Sequence, residues 1–425
     1  MDKSSTFPDK TENSQEKSNN VEPDNCSEKN NVKVLDKTEE LLTRGVANIV
    51  PSKDNLEKVL KSGKKLNIYL GIDPTAPKIH LGHTVPLRKL QKFVELNHNV
   101  TFLIGDFTAL IGDTSDKDSE RPSLSKQQIE DNFKTYKNQA EKILDFSKVK
   151  IVHNSEWLKK LSYEEVVKLM QQFSLNDFIS RELIKKRLGE GSRVALHEAQ
   201  YPAMQGYDSY ILDTDLQIGG TDQIFNMQAG RTLIKNWKNK ESFILSTEFL
   251  MGTDGRKMSK TWGNAIWLED SPQDMYAKVM SVKDALIPQY FTLATNVTIE
   301  EIKQVEEDIN AEANPMDIKK KLAFEIVKEL YNENEANKAQ EHFEKTVQQK
   351  ELPDQIEEIE LRGNGLSIID VLTQSKLAES KSEAKRLIEQ KGVSINNQPV
   401  EDPNSIFKGG LVKVGKRKFA KIKLN

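Results

Sequence analysis

The chain of 425 residues has one cysteine, Cys26, so no disulfide can form within it, and such usage fits a reducing compartment. It lacks any apolar run long enough to span a bilayer, and with 36% hydrophobic residues it is expected to be a soluble, cytoplasmic protein. With only six histidines and no third ligand at metal-site spacing, a resident metal ion is not expected. Residues 1 to about 32 contain no arginine and a single aromatic side chain, Phe7, and are rich in Ser, Asn, Lys, Glu and Asp. That composition fits neither a transit peptide nor a secretory signal, and predicts a disordered polar tail.

What the chain does have is concentrated in two short runs about 175 residues apart. The first, His80-Leu81-Gly82-His83, lies between the apolar stretch Leu66–Ile72 and a segment in which Leu87, Leu90 and Val94 recur at helical spacing. The pattern predicts strand, loop and helix. Free N–H groups and the positive end of the dipole at such a helix start favour an anion, and two imidazoles would point at the same place. Gly82 lets a flat base or ribose approach the backbone.

The second run, Lys257-Met258-Ser259-Lys260-Thr261, sits in a glycine-bearing basic loop after the apolar Phe243-Ile244-Leu245. Taken alone, it reads more readily as a solvated surface loop. A mobile cationic loop that closes late on a triphosphate would stabilise charge in the transition state more than in the ground state. Together the two runs resemble the paired signatures of class I aminoacyl-tRNA synthetases. Leu81 and Thr261 depart from the usual residues, conservatively in both cases. The resemblance implies a parallel-sheet, Rossmann-like α/β catalytic domain that activates an amino acid with ATP.

Tyr201, Gln205 and Asp208 stand at i, i+4 and i+7, one helical face spanning about 10 Å, and suit a zwitterionic ligand. From spacing alone, Asp208 would accept a bond from the ligand's ammonium group. Leu216–Gln223 reads as a strand entering a two-glycine turn, either an ordinary tight turn or a place for a ribose, with Asp222 as hydroxyl acceptor. Strand carboxyl ends are where open α/β sheets bind ligands, which adds Tyr69 and Asp113.

With these residues the chain resembles the bacterial-type tyrosyl-tRNA synthetases from about residue 34 to its C-terminus. The resemblance implies a tyrosine pocket of Tyr69, Asp113, Tyr201, Gln205, Asp208, Gln217 and Gln223. Tyr69 and Asp208 would then bind the phenol, and Asp113, Tyr201 and Gln205 the ammonium group, which reassigns Asp208. Thr75, His80 and His83 would face the ATP phosphates, Gly82 the nucleotide, and Gly220 and Asp222 its ribose. Lys117, Arg121, Lys257, Lys260 and Thr261 would form mobile transition-state loops, with Mg²⁺ accompanying ATP. A site that binds a phenol leaves polar groups unpaired when phenylalanine enters; tyrosyl-tRNA synthetase is the standard example of such selection without editing.

The rest divides by composition. Residues 33–269 would form the catalytic domain, with a helical insertion at about 123–193. The stripes Ile129-Phe133-Tyr136 and Val166-Met170-Phe173 there fit either core packing or the homodimer interface that the family places in it. Residues 270–350 read as charged amphipathic helices, where the family has an α-helical domain contacting the tRNA anticodon stem. A polar linker is expected at 351–363. Residues 364–425 hold 12 Lys and Arg against 6 Asp and Glu, so this end carries about +6 and the remainder about −9. Such asymmetry points to a polyanionic partner. The basic helix, glycine and strand across Ser382–Asn396 resemble a small α+β S4-type RNA-binding domain, with Lys381, Lys385, Arg386 and Lys391 on the phosphates of tRNA(Tyr).

Two rivals share features with this reading. Tryptophanyl-tRNA synthetases have the same architecture, but an S4-type tail with a phenol-facing Tyr69/Asp208 pair is not expected of them. An RNA-binding or splicing-assisting protein on a synthetase fold would not need the full phosphate-binding set.

Overall fold

The computed structural model describes residues 37–113, 124–259, 261–348, 357–361, 365–396, 398–415 and 418–424. The expected tail at 1–32, Lys117, Arg121 and Lys260 lie outside these.

Six strands form the main sheet: β1 (Val46–Val50), β2 (Asn67–Ile72), β3 (Asn99–Ile104), β4 (Lys150–His153), β5 (Leu216–Gly220) and β6 (Phe243–Thr247), in the order β1-β6-β5-β2-β3-β4. All neighbours are parallel except the edge pair β1/β6. The inner strands are near-continuous apolar runs because both faces are covered, as parallel sheets require. From β2 the chain winds outward through β3 to β4, whereas β5 and β6 lie on the other side. The β2/β5 boundary is therefore the topological switch point, where a crevice opens at the strand carboxyl ends. Tyr69 and Gln217 face each other across it in register.

The helix Leu81–Glu95 leaves the first of these ends. Its buried stripe of Leu81, Val85, Leu87, Leu90, Phe93 and Val94 seats it on the sheet and so fixes His80 and His83 at its start.

Two expected boundaries are corrected. The insertion at about 123–193 is not purely helical: the helix Lys126–Ala140 buries Ile129 and Tyr136, and β4 is an edge strand of the main sheet. Four short helices follow between Ser155 and Gly189, the first of which packs Trp157 against Tyr69, Leu103 and Val152 of the sheet. Here Met170 and Phe173 pack against a small satellite cluster around Leu169, Ala203 and Leu233. The linker at 351–363 is also interrupted. Glu357–Leu361 is a strand, β7, paired in parallel with β11 (Lys418–Leu424), because Ile359 and Leu361 alternate inward onto the C-terminal core.

The helices Pro272–Met280, Ile287–Ala294, Ile299–Asn310, Pro315–Leu330 and Glu333–Phe343 come next in the chain. Their core is continuous with that of the sheet, through Tyr276, Tyr290, Phe291 and Leu322. The C-terminal unit has its own core and a five-stranded sheet of order β7-β11-β10-β8-β9, where β8 is Val393–Ile395, β9 Gln398–Pro399 and β10 Gly410–Val414. The helix Lys381–Glu389 packs on it through Ala384 and Ile388.

Candidate active site

A cavity of about 270 Å³ opens at the β2/β5 switch point and is lined by all seven residues expected to hold an amino acid: Tyr69, Asp113, Tyr201, Gln205, Asp208, Gln217 and Gln223. Thr75, His83 and Gly220 line both this cavity and the larger cleft beside it, which adds His80, Gly82, Asp222, Lys257 and Thr261. Residues scattered over almost 200 positions thus form two adjoining compartments.

The inner end of the smaller cavity is lined by buried, mutually hydrogen-bonded polar side chains. Tyr69, buried on β2, shares a hydrogen bond with Ser209 Oγ at 2.9 Å and donates to Gln217 Oε1 at 3.1 Å. Gln217 is fixed in turn by donating to Met227 O at 3.0 Å. Asp208 comes from the helix Tyr201–Ile211, which starts with Pro202 in its first turn, where the lost N–H costs little. Its carboxylate accepts from Trp157 Nε1 at 2.7 Å and Asn154 Nδ2 at 3.1 Å. Burial pushes the Asp208 pKa up to about 8 despite these two donors, which act in the opposite direction. Burial and the neighbouring Asp208 also push the Tyr69 phenol well above its ordinary value, so it stays a neutral donor.

The outer end is anionic. Asp113 accepts from Gln223 Nε2 at 2.7 Å, and Tyr201 donates to Asp73 Oδ2 at 2.9 Å. Asp73 Oδ1 accepts from Thr108 Oγ1 at 2.8 Å, and Thr108 Oγ1 accepts from Asn154 Nδ2 at 3.0 Å. One chain of bonds therefore runs from Tyr201 through Asp73, Thr108 and Asn154 to Asp208, linking the two ends of the cavity. The spacing of Tyr201, Gln205 and Asp208 placed them on one helix; it could not show that the helix would point Asp208 at the inner end.

In the larger cleft, His80 caps the helix Leu81–Glu95. Its N–H donates to His83 Nδ1 at 3.1 Å, so a neutral His83 carries its proton on Nε2, toward the cleft. The rings lie 3.9 Å apart. Burial, His83 and Lys257 hold the His80 pKa down at about 2, so it is a neutral group at any working pH. Its Nδ1 is buried and has no hydrogen-bond partner among the described residues. At Gly220, also in the cleft lining, a Cβ would stand 2.6 Å from Asp222 Oδ1, so a side chain there would displace the Asp222 carboxylate. Lys257, exposed, lies over the Phe249 ring with its Nζ 4.8 Å from the centroid.

Five contributors escaped the sequence reading: Asp73, Thr108, Asn154, Trp157 and Ser209. Asn154 and Trp157 lie just past the carboxyl end of β4, the only local signal that marked them, and β4 was hidden inside the supposed insertion.

Residues 61–348 match the family model described as tRNA synthetases class I (W and Y), and residues 368–413 match that of the S4 domain. The chain belongs to the class I tRNA synthetases of this type. Among similar members, a tyrosine–tRNA ligase of Carboxydothermus hydrogenoformans is 44% identical over 90% of this chain and 97% of its own length. One from Thermotoga maritima is 40% identical over 90% and 96%. Two solved structures share the synthetase fold at 23% identity. A C-terminally truncated mitochondrial tyrosyl-tRNA synthetase of Aspergillus nidulans has a TM-score of 0.61 over 74% of this chain and 98% of that one. The Archaeoglobus fulgidus enzyme complexed with L-tyrosine has 0.57 over 72% and 99%.

On the second family match, the synthetase carries Lys381, Lys385, Arg386 and Lys391 exposed on or just after one helix. Lys381 pairs with Asp370 at 2.7 Å and Lys385 approaches Glu389 at 4.0 Å, so part of this positive charge is already compensated.

Proposed function

We infer that this chain is a tyrosine–tRNA ligase, which activates L-tyrosine with ATP and transfers the tyrosyl group to the 3′-terminal ribose of tRNA(Tyr). The observation that carries the choice of amino acid is the buried pair Tyr69 and Asp208 at the closed end of the smaller cavity. Both line the cavity with Gln217, and a substrate hydroxyl reaching them gains polar partners that a phenyl ring cannot use. Asp113, Tyr201 and Gln205 would receive the ammonium group, and the substrate carboxylate would then face the cleft holding His80 and His83.

The carboxylate attacks the α-phosphorus in line: the carbonyl-oxygen-to-phosphorus bond forms, the α–β phosphoanhydride bond breaks, and pyrophosphate leaves. No general base is needed, so the protein contributes position and charge stabilisation. Thr75, His80 and His83, which line the cleft, would donate to phosphate oxygens. Gly82, Gly220 and Asp222 would hold the nucleoside. Lys117, Arg121, Lys257, Lys260 and Thr261 would close on the leaving pyrophosphate. Mg²⁺ would arrive with ATP as part of the substrate; among the described residues no group of three or more His, Cys, Asp or Glu could hold it alone.

We further propose a homodimer. Of the eleven large apolar side chains exposed among the described residues, seven fall between Tyr163 and Ile211, with Tyr163 84% and Leu196 79% exposed. A patch of that density on one segment calls for a partner. Residues 270–350 would meet the anticodon stem, and Lys381, Lys385, Arg386 and Lys391 tRNA phosphates. No helix among the described residues is long and apolar enough to cross a membrane, which is consistent with a cytoplasmic enzyme. Pyrophosphate exchange with tyrosine, with tryptophan and without amino acid tests the reading: exchange with tyrosine alone is expected, exchange with tryptophan would transfer the chain to the sister specificity, and none with either would leave a non-catalytic fold.

A further inference from the structure

Asp254 stands three residues before Lys257, and Asn264 three after Thr261. The two close the base of the lysine loop. Asn264 is buried, and its amide is fully used: Nδ2 donates to Asp254 Oδ1 at 2.7 Å and to Lys257 O at 3.2 Å, while Oδ1 accepts from the Ser259 N–H at 2.9 Å. Its own backbone carbonyl accepts from the Thr253 N–H at 3.1 Å. Asp254 in turn accepts from the Arg256 N–H at 3.0 Å and from Arg256 Nε at 2.7 Å, and that guanidinium stacks over Trp262, 4.1 Å from the ring centroid. Asn264 packs so tightly on the backbone that a Cβ at Gly252 would stand 2.4 Å from its Cγ.

The consequence falls on Lys257. Its carbonyl is held by Asn264, the following side chain, Met258, is buried in the main core, and the next N–H, of Ser259, is held by Asn264 again. Three successive residues are thereby held by Asn264 and the core while the Lys257 side chain projects over Phe249. Only an amide of this length can donate twice and accept once here; aspartate cannot donate and alanine can do neither.

We propose that Asn264, braced by Asp254, is a positioning residue for activation: it holds the backbone of Lys257–Ser259 so that the Lys257 ammonium meets the leaving pyrophosphate. The proposal rests on the reading of Lys257 as a phosphate-facing group. Because the latch touches no part of the tyrosine cavity, its loss acts on the rate of the step and not on tyrosine binding.

The test measures ATP–pyrophosphate exchange and tyrosine affinity by equilibrium dialysis on the full chain, for Asn264→Ala, Asp254→Ala, the double variant and Lys257→Ala. Asn264→Ala is expected to lower kcat about 100-fold, the loss that displacement of a reacting group by about an ångström produces. Tyrosine Kd should stay within about twofold, and the double variant should be no slower than the worse single one by more than about twofold, since both break one latch. Trypsin should cut faster after Arg256 and Lys257 in either single variant. If Asn264→Ala proves poorly folded, Asp254→Ala breaks the same latch from its more exposed side. A kcat within about threefold of the parent in both single variants, or tyrosine affinity falling in step with the rate, overturns the proposal. Full activity in Lys257→Ala would instead overturn the underlying assignment of Lys257, which separates the two failures.

Discussion

Trp157 donates its indole N–H to Asp208 Oδ1 at 2.7 Å, from a short helix beyond β4, 51 residues away in sequence. With Asn154 on the other oxygen, the carboxyl group is held rigid inside a cavity whose burial works against its charge. In Trp157→Phe the ring remains and the donor goes. Leaving one oxygen of this buried carboxyl group without its donor costs about 1–3 kcal/mol, so the variant should lose about 5- to 100-fold in kcat/KM for tyrosine. Its kcat/KM for phenylalanine should change less, which exchange assays with both amino acids would reveal.

Asp208 also ties stability to pH. In the folded protein its pKa is near 8, against about 3.9 in an unfolded chain, so between those values the folded state keeps a proton that the unfolded state releases. The contribution is favourable at low pH and is lost as pH rises through that window. Asp208→Asn does not titrate. Its thermal midpoint relative to the parent should therefore rise from pH 4 to pH 8 and level off above, and a difference that stays flat across the window would contradict the raised pKa.

The two rings at the helix start should behave differently from the pocket. His80→Ala removes a neutral donor from the phosphate side, where losing one such group costs about 100- to 1,000-fold in kcat. Tyrosine affinity, measured by equilibrium dialysis, should be nearly unchanged. A pure loss of tyrosine binding would mean that His80 supports the wrong compartment.

Truncation after Gly363 removes the S4 unit except β7, which among the described residues pairs only with β11 of that unit. Its core is separate from the main one, so adenylation should survive while tRNA charging falls. In the full chain, Lys385→Ala and Arg386→Ala should each reduce the salt slope of tRNA binding by about one, as expected for a phosphate contact. Equal loss of adenylation and charging on truncation would refute the division.

How far the sequence could be read depended on whether an interaction was local. The strand, loop and helix around His80 are written in adjacent residues, and so is the helical face of Tyr201, Gln205 and Asp208. Both recur in the structure where the spacing puts them. Which way Asp208 points is decided by Trp157, Asn154 and the register of β2 with β5, none of which leaves a periodic trace. The edge strand β4 is four residues long and was absorbed into a helical stretch. Likewise, Ile359 and Leu361 make a strand of a charged segment only because β11 is there to pair with it.

The central claim is that tyrosine binds with its hydroxyl between Tyr69 and Asp208. Its most direct test is active-site titration of aminoacyl-adenylate formed by the parent and by Asp208→Ala, with tyrosine and with phenylalanine. The account predicts that the parent forms adenylate with tyrosine and strongly rejects phenylalanine, and that the substitution sharply narrows this gap, mainly by weakening tyrosine. Unchanged discrimination in Asp208→Ala would contradict it.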